Sequence, residues 1–134
     1  METVRDAMVP EPTTLAARAS AQEAGLCLGD SGEVRAIFVT EDDGRLVGVV
    51  TRKTLVREVV AAGLDPRTVA LRDIAEAPHF TLDAELGLED GFHFLEEQDL
   101  ERVPVVENGR LVGVLSRAVV RRRLAEDETL DDGR

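Results

Sequence analysis

The sequence has very few of the side chains that most often carry covalent or acid–base chemistry. Its 134 residues include one cysteine and two histidines. The single cysteine, Cys27, has no partner for a disulfide within the chain, which is typical of a reducing compartment. No serine–histidine–acid spacing, P-loop or metal-ligand pattern is present in the sequence. The composition therefore favours a protein that is not an enzyme.

Long apolar runs and an excess of positive charge are also missing. No run approaches the ~18 apolar residues that span a bilayer, and the opening "METVRDAMVPEP" lacks a signal-peptide pattern. We therefore expect a cytoplasmic protein without membrane association. The chain carries 27 acidic and 16 basic residues, a net charge of -11. Such a surface repels phosphate backbones, so we expect no nucleic-acid partner.

What the sequence does contain is an internal repeat. The hexapeptide "GRLVGV" occurs at residues 44–49 and again at residues 109–114. The similarity extends upstream at an offset of 67 residues, where "VRDAM" matches "LRDIA", and downstream at an offset of 65, where "VVTRKTLVREVV" matches "VLSRAVVRRRLA". This pattern indicates a duplicated supersecondary unit. We assign a first repeat to residues 4–66, a second to residues 67–126 and an acidic C-terminal tail to residues 127–134.

Each repeat predicts the same order of elements. A short strand ("TTL" or "FTL") precedes a helix, an apolar strand and a hairpin, and a second helix follows. The hairpin turns, Asp43-Gly44 and Asn108-Gly109, are strong signals because both residues of such a turn adopt positive φ. One repeat alone has little core. We therefore expect an α+β fold in which two β-α-β-β-α units are related by a pseudo-twofold axis, with their sheets packed together and the helices outside.

These features resemble a tandem pair of CBS (cystathionine-β-synthase) domains, also called a Bateman module. The resemblance covers residues 4 to about 126, and "RVPVVENGRLVGVLSR" is its most specific part. It implies a free-standing, non-catalytic regulatory module that senses an adenosine-containing ligand in the cleft between the two units. The ligands it implies are AMP, ADP, ATP or S-adenosylmethionine, and the partner it implies is a separate regulated enzyme or transporter.

The resemblance also implies particular ligand contacts. In the family, a Gly-apolar-x-Thr/Ser-x-x-Asp segment meets the phosphate through its hydroxyl and the ribose hydroxyls through its Asp. Here "GVVTRKT" places Thr51 at the hydroxyl position and Thr54 at the Asp position, whereas "GVLSRAV" places Ser116 and Val119 there. The residues that follow the two hydroxyls would face the phosphate: Arg52 and Arg117. The positions that match adenine recognition are Thr14, Ile37, Phe80, Thr81 and Pro104.

Simpler interpretations of the same residues stay open. Thr51 and Ser116 are favoured helix N-caps with or without a ligand, the two arginines suit a solvated surface, and an aromatic such as Phe80 is common in a core. Both carboxylates of the family motif are absent. A ligand-independent protein-interaction or scaffold module is therefore the alternative function.

The first helix of each repeat suggests self-association. "AARASAQEAGLCLG" and "LGLEDGFHFL" have apolar faces, and CBS pairs of this kind join through their helices. We expect a homodimer through these helices. The alternative is that both faces are buried in the internal core.

Overall fold

In a computed structural model of the chain, residues 2–10 and 12–132 are described, residues 127–132 without their side chains. The chain forms two compact lobes. The first lobe contains Pro12–His79 and Gly109–Leu111, and the second contains Met1–Glu11, Phe80–Asn108 and Val112–Arg134. Each lobe combines helices with one sheet, which confirms the predicted α+β class. Within the described ranges, no helix is long and apolar enough to cross a membrane.

The elements follow one another in nearly the predicted order. They are α1 Val4–Ala7, β1 Val9–Pro10, β2 Thr14–Ala16, α2 Ala21–Asp30, β3 Ala36–Thr40, β4 Leu46–Thr51, α3 Arg52–Leu55, a π-helical turn Val56–Val60, α4 Leu71–Ile74, β5 Leu82–Asp83, α5 Leu88–Glu97, β6 Arg102–Glu107, β7 Arg110–Ser116 and α6 Arg117–Asp132. The sheet orders are β2-β3-β4 in the first lobe and β1-β7-β6-β5 in the second.

The core of the first lobe lies between its sheet and α2. A capping box begins α2: Ser20 Oγ accepts from the Glu23 N–H at 3.2 Å, and Glu23 Oε2 accepts from the Ser20 N–H at 2.7 Å. The predicted apolar face of this helix is buried. This face consists of Ala21, Ala24 and Leu28, and it packs in one cluster with residues of the strands.

The second lobe is built in the same way around α5, with one difference. Leu88 and Leu95 are buried, but Phe92, one turn after Leu88, is only half-buried. The neighbouring Gly91 is buried instead, and a Cβ there would meet Val4 Cγ2 of α1 at 2.9 Å. The missing side chain at Gly91 therefore makes room for α1.

The leading segment of each sequence repeat packs in the lobe formed mainly by the other repeat. In the second lobe, the N–H groups of Val4 and Arg5 bond the carbonyls of Leu86 and Ala84, at 2.8 and 2.9 Å. In the first lobe, α4 bonds the loop after β2 in a corresponding way. The lobes therefore do not follow the repeat boundary that we placed at residues 66 and 67, and that boundary stays a prediction about the sequence repeat.

Only one of the two hairpin turns has the predicted conformation. Asn108 and Gly109 both have positive φ, 54° and 81°, as a two-residue turn requires. In the first hairpin Gly44 alone has positive φ, 90°, so the prediction for Asp43 is wrong. The Gly44 N–H bonds the Glu41 carbonyl at 2.9 Å. This closes a three-residue loop in which only the last residue is left-handed.

The closing helices also differ in part from the prediction. The first one changes after α3 into the π-helical turn, where the Ala61 N–H bonds the Val56 carbonyl at 2.8 Å. This turn is rich in valine, whose branched side chain lowers α-helix propensity. The second, α6, continues to Asp132 and includes most of the predicted tail, whose side chains and last two residues lie outside the described part of the chain.

The glycine inside each "GRLVGV" hexapeptide is explained by a close backbone approach. A Cβ on Gly48 would lie 2.5 Å from the carbonyl oxygen of Glu76, and a Cβ on Gly113 would lie 2.9 Å from that of Val9. The two approaching segments are equivalent in the repeat, and each follows a leading helix, α4 or α1. The fold therefore needs a residue without a side chain at the same place in both strands.

Candidate functional site

The candidate site of the first lobe lies where β4 ends and α3 begins. The Thr51 hydroxyl accepts from the Thr54 N–H at 3.3 Å, and the Thr54 hydroxyl accepts from the Thr51 N–H at 3.0 Å. Thr54 thus completes a capping box in which Thr51 is the N-cap. Thr51 is half-buried, whereas Thr54 is 0% exposed. A ligand can reach Thr51, but the Thr54 side chain does not face solvent.

Arg52, which follows the N-cap, bonds the C-terminal end of α2. Its guanidinium donates to the carbonyl oxygens of Leu28 and Ser31, the latter at 3.0 Å. These contacts place a positive charge where the helix carbonyls lack partners and the helix dipole is negative. Contact between Arg52 and a phosphate stays a prediction, and it would require the guanidinium to leave these carbonyls.

A carboxylate lies beside the capping box although the 51–54 motif has none. Glu76 Oε1 is 3.4 Å from the Thr54 hydroxyl and also accepts from Arg57. Arg57 in turn donates to Glu58 at 3.2 Å. The bond to Glu58, followed by the charge of Glu76, raises the pKa of Arg57 above its ordinary value. Arg57 therefore remains a cation beside the Glu76 carboxylate.

Backbone bonds hold the segment that carries this carboxylate against β4. The Glu76 N–H donates to the Val49 carbonyl in β4 at 2.9 Å, and the Glu76 carbonyl accepts from the Val49 N–H at 2.8 Å. The close packing on Gly48 described above holds the same segment against the strand. The Glu76 side chain is nevertheless 48% exposed. The first lobe thus presents an accessible carboxylate beside its capping box.

The adenine positions of the first repeat differ in what they can contact. Thr14 is exposed on β2 and pairs with Phe38 of β3. Ile37 pairs with Val50 and is 0% exposed within the core. The Ile37 side chain is thus a core residue, and any contact with a ligand would have to come from its backbone.

In the second lobe, the corresponding junction has a different chemistry. Ser116 is half-buried at the end of β7, and Val119 is half-buried three residues later. The Arg117 side chain is only 15% exposed and pairs with Glu101 and, at 3.4 Å, with Asp99. The bond to Glu101 raises the pKa of Arg117. Arg117 is thus an internally paired cation rather than a solvated arginine, and its contact with a phosphate stays a prediction.

The adenine positions of the second repeat are also only partly accessible. Thr81 is exposed, whereas Pro104 is buried in β6. Phe80 is 36% exposed and packs edge-to-face on Phe94, with ring centroids 5.2 Å apart. The structure therefore gives Phe80 an aromatic neighbour in its own lobe, in line with the core interpretation, while leaving part of the ring accessible.

Sequence reasoning missed Glu76 and Arg57. A signal was available for Glu76: at the offset of 67 its equivalent in the first repeat is Val9, which pairs with Val114 as Glu76 pairs with Val49. A carboxylate thus replaces an apolar residue at one of two equivalent positions. Its distance from Thr54 depends on the packing of α4 in the first lobe, which the sequence did not indicate.

No group of side chains in the described residues could hold a metal ion. The chain has one cysteine and two histidines. The cysteine, Cys27, is half-buried on α2.

The repeated strand–helix–hairpin–helix unit and its strand-to-helix junctions define a tandem α+β module. The comparison with protein families identifies the module. The CBS domain matches twice, at residues 4–61 and 71–126. The chain therefore belongs to the CBS-domain family and is a CBS pair of the Bateman type.

Among curated proteins, the chain is similar to hypoxic response protein 1 of Mycobacterium tuberculosis, with 34% identity over 94 residues. This match covers 70% of the chain and 66% of the relative, slightly less than two thirds of the relative's length. The CBS domain-containing protein YhcV of Bacillus subtilis is 27% identical over 116 residues, which cover 87% of the chain and 81% of that protein.

Two solved structures show the same fold. One is Hypoxic Response Protein I with two coordinated zinc ions, with a TM-score of 0.77 and 30% identity over 92% of this chain and 99% of that one. The other is CBSX2 in complex with AMP, with a TM-score of 0.74 and 25% identity over 96% of this chain and 99% of that one.

Proposed function

We propose that this CBS pair is a non-catalytic regulatory module that senses an adenosine-containing ligand and controls a separate enzyme or transporter. The candidate ligands are AMP, ADP, ATP and S-adenosylmethionine. The observation that carries the proposal is the β4–α3 junction, where the accessible N-cap Thr51 shares a capping box with Thr54, and Thr54 contacts the Glu76 carboxylate. The AMP complex of CBSX2, a protein with this fold, supports the class of ligand.

The junction suits such a ligand chemically. Thr51 begins a helical segment whose first N–H groups suit an anion such as phosphate. The Thr51 hydroxyl can rotate to donate to a phosphate oxygen while Thr54 still accepts from the Thr51 N–H. Thr14 is exposed on β2 of the same lobe, and it is the residue through which we propose contact with the adenine.

Isothermal titration of the full chain with AMP, ATP and S-adenosylmethionine tests the sensor function. We expect micromolar binding of at least one of them, and loss of that binding in Thr51→Ala. Ser20→Ala is the matched control, because Ser20 caps α2 in the same lobe by the same kind of box. Each substitution removes one cap, with a cost of about 1 kcal/mol, but only the first removes the proposed ligand contact.

The alternative is a ligand-independent scaffold. It is favoured by Val119 at the carboxylate position of the second repeat and by the internal contacts of Arg52 and Arg117. If the unmodified chain binds none of the three ligands, the sensor proposal fails and the scaffold becomes the function to pursue. If Ser20→Ala abolishes binding as completely as Thr51→Ala, the assigned junction is wrong.

We further propose that the chain forms a homodimer through the helices of the first lobe. Large apolar side chains protrude there around a groove of about 360 Å³ whose lining residues are all uncharged. The protruding residues and their exposed fractions are Leu26 62%, Val56 58%, Val60 72% and Leu64 50%. The buried face of α2 belongs to the internal core, so the interface that we propose uses the exposed face of this predicted helix, which carries Leu26.

The second repeat does not offer the same surface. The equivalents of Leu26 and Val56 are His93 and Arg121, and both are exposed. A chain with a net charge of -11 repels its own copies, so an uncharged face is the surface through which two copies can approach. In a twofold dimer the same face is used by both copies.

Light scattering after size exclusion tests the dimer, with Leu26→Glu as the test variant and His93→Glu as its matched control. We expect a dimer for the unmodified chain and for His93→Glu, and a monomer for Leu26→Glu. A monomeric unmodified chain would refute self-association. A dimer that survives Leu26→Glu would place the interface elsewhere.

A further inference from the structure

The buried threonine of the 51–54 motif leaves open which group would recognise the sugar of a ligand. Thr54 is 0% exposed, and its hydroxyl is already bonded within the capping box. In this conformation the Thr54 side chain offers nothing to a ligand. The polar contact of the first lobe must come from a neighbouring group if the lobe binds a ribose.

Glu76 is that neighbour. Its contacts with Thr54 and Arg57 both end on Oε1, and no described residue bonds Oε2. Because the side chain is 48% exposed, Oε2 can accept from a molecule in solution. A fixed carboxylate suits a vicinal diol, since charge-assisted hydrogen bonds are about twice as strong as neutral ones.

The second lobe lacks this arrangement. Val9 occupies the position equivalent to Glu76, and Val119 occupies the position equivalent to Thr54. Val9 pairs with Val114 and is 48% exposed, so the backbone geometry is kept while the acceptor is lost. The carboxylate is thus specific to one of two similar lobes.

We propose that Glu76 is the ribose acceptor of the first lobe, and that the chain has one such site, with none in the second lobe. The assignment rests on the proposed sensor function. It adds the specificity-determining residue and the stoichiometry: the carboxylate comes from the segment after α4, outside the 51–54 motif, and one adenosine-type ligand binds per chain.

The test is a titration cycle with two probes, AMP and its 2′,3′-dideoxy analogue, against the full chain and Glu76→Gln. We expect Glu76→Gln to weaken AMP binding about ten- to a hundredfold, the range for losing a charge-assisted bond. The dideoxy analogue has no diol, so its affinity should be the same for both proteins. The unmodified chain should bind one AMP.

Glu58→Gln is the matched control, because Glu58 also pairs with Arg57 but lies outside the capping box. We expect it to bind AMP like the unmodified chain. If AMP binds and Glu76→Gln leaves its affinity unchanged, or weakens both probes equally, the ribose assignment is wrong while the sensor function stands. A stoichiometry of two refutes the single site. If the unmodified chain does not bind AMP, the sensor function fails for that nucleotide, and the ribose assignment fails with it.

Discussion

Thr54→Asp would restore the carboxylate that the 51–54 motif lacks, but we expect it to destabilise the first lobe. Thr54 is 0% exposed, and its hydroxyl lies 3.4 Å from Glu76 Oε1. An aspartate at this position would bring a second carboxylate beside the first, in a place where water does not reach it. The substitution that the family pattern suggests is therefore opposed by a contact that the sequence did not indicate.

The size of the effect follows from the distance. Two like charges about 4 Å apart repel by about 4 kcal/mol at an effective dielectric constant of about 20. Arg57 and the partial exposure of Glu76 offset part of this repulsion. We expect the free energy of unfolding to fall by about 2 to 4 kcal/mol at pH 8. Urea unfolding followed by circular dichroism measures this loss directly.

The pH dependence has a defined sign. Two adjacent carboxylates hold a shared proton more tightly when the protein is folded, so the pKa of the pair is raised above the unfolded value. A raised folded pKa contributes stability at low pH that is lost as the pH rises. The loss in free energy of unfolding caused by Thr54→Asp should therefore be smaller at pH 5 than at pH 8.

Two further variants separate repulsion from the loss of the hydroxyl. Thr54→Val keeps the shape and removes only the cap partner, with a cost of about 1 to 2 kcal/mol. Adding Glu76→Gln to Thr54→Asp removes the repulsion and should recover most of the lost stability. A Thr54→Asp protein as stable as the unmodified chain at pH 8, or one that Glu76→Gln does not rescue, would refute the reasoning.

Two other predictions concern the fold. Gly48→Ala places a Cβ 2.5 Å from the Glu76 carbonyl oxygen and should lower the free energy of unfolding in urea by about 1 to 3 kcal/mol. Gly29→Ala, where a Cβ would have nothing within 4 Å, should instead stabilise α2 by up to about 1 kcal/mol. Equal effects of the two substitutions would contradict the close approach at Gly48. The hydrogen bond from the Thr3 N–H lowers the pKa of Asp6, so its contribution to stability is present above the ordinary value of about 3.9 and is lost as the pH falls below it. The difference in Tm between Asp6→Asn and the unmodified chain should be largest near neutral pH and should shrink below about pH 4, and a difference that does not vary with pH would contradict this role.

Much of the fold could be predicted from the sequence because the pattern of each element occurs in both repeats. The Asn108-Gly109 turn and the apolar strands on either side of it are local signals, and they appear in the structure where they were expected. The packing of α1 and α4 could not be predicted in this way. A repeat offset is the same whether a leading segment packs with its own repeat or with the other one, so tertiary contacts alone decide the outcome.

The candidate site could be predicted only in part, for a related reason. Thr51 follows from a local motif, and the structure places it at the helix start. Glu76 lies 22 residues after Thr54 in the chain and approaches it only because α4 packs in the first lobe. Ile37 was assigned by position, and its full burial depends on contacts that a sequence position does not specify.

The differences between the two repeats indicate where a specific function lies. Gly48 and Gly113 are identical because both lobes need a close backbone approach at the same point of the strand. The fold makes no such demand at the equivalent positions Glu76 and Val9, since both segments pair with their strand through backbone atoms. The backbone pairing therefore does not require a carboxylate at one of these positions and a valine at the other, and the side-chain contacts of Glu76 with Thr54 and Arg57 are specific to the first lobe. The ligand contact that we propose for the first lobe is consistent with this difference, and it predicts one site where the duplicated fold alone would suggest two.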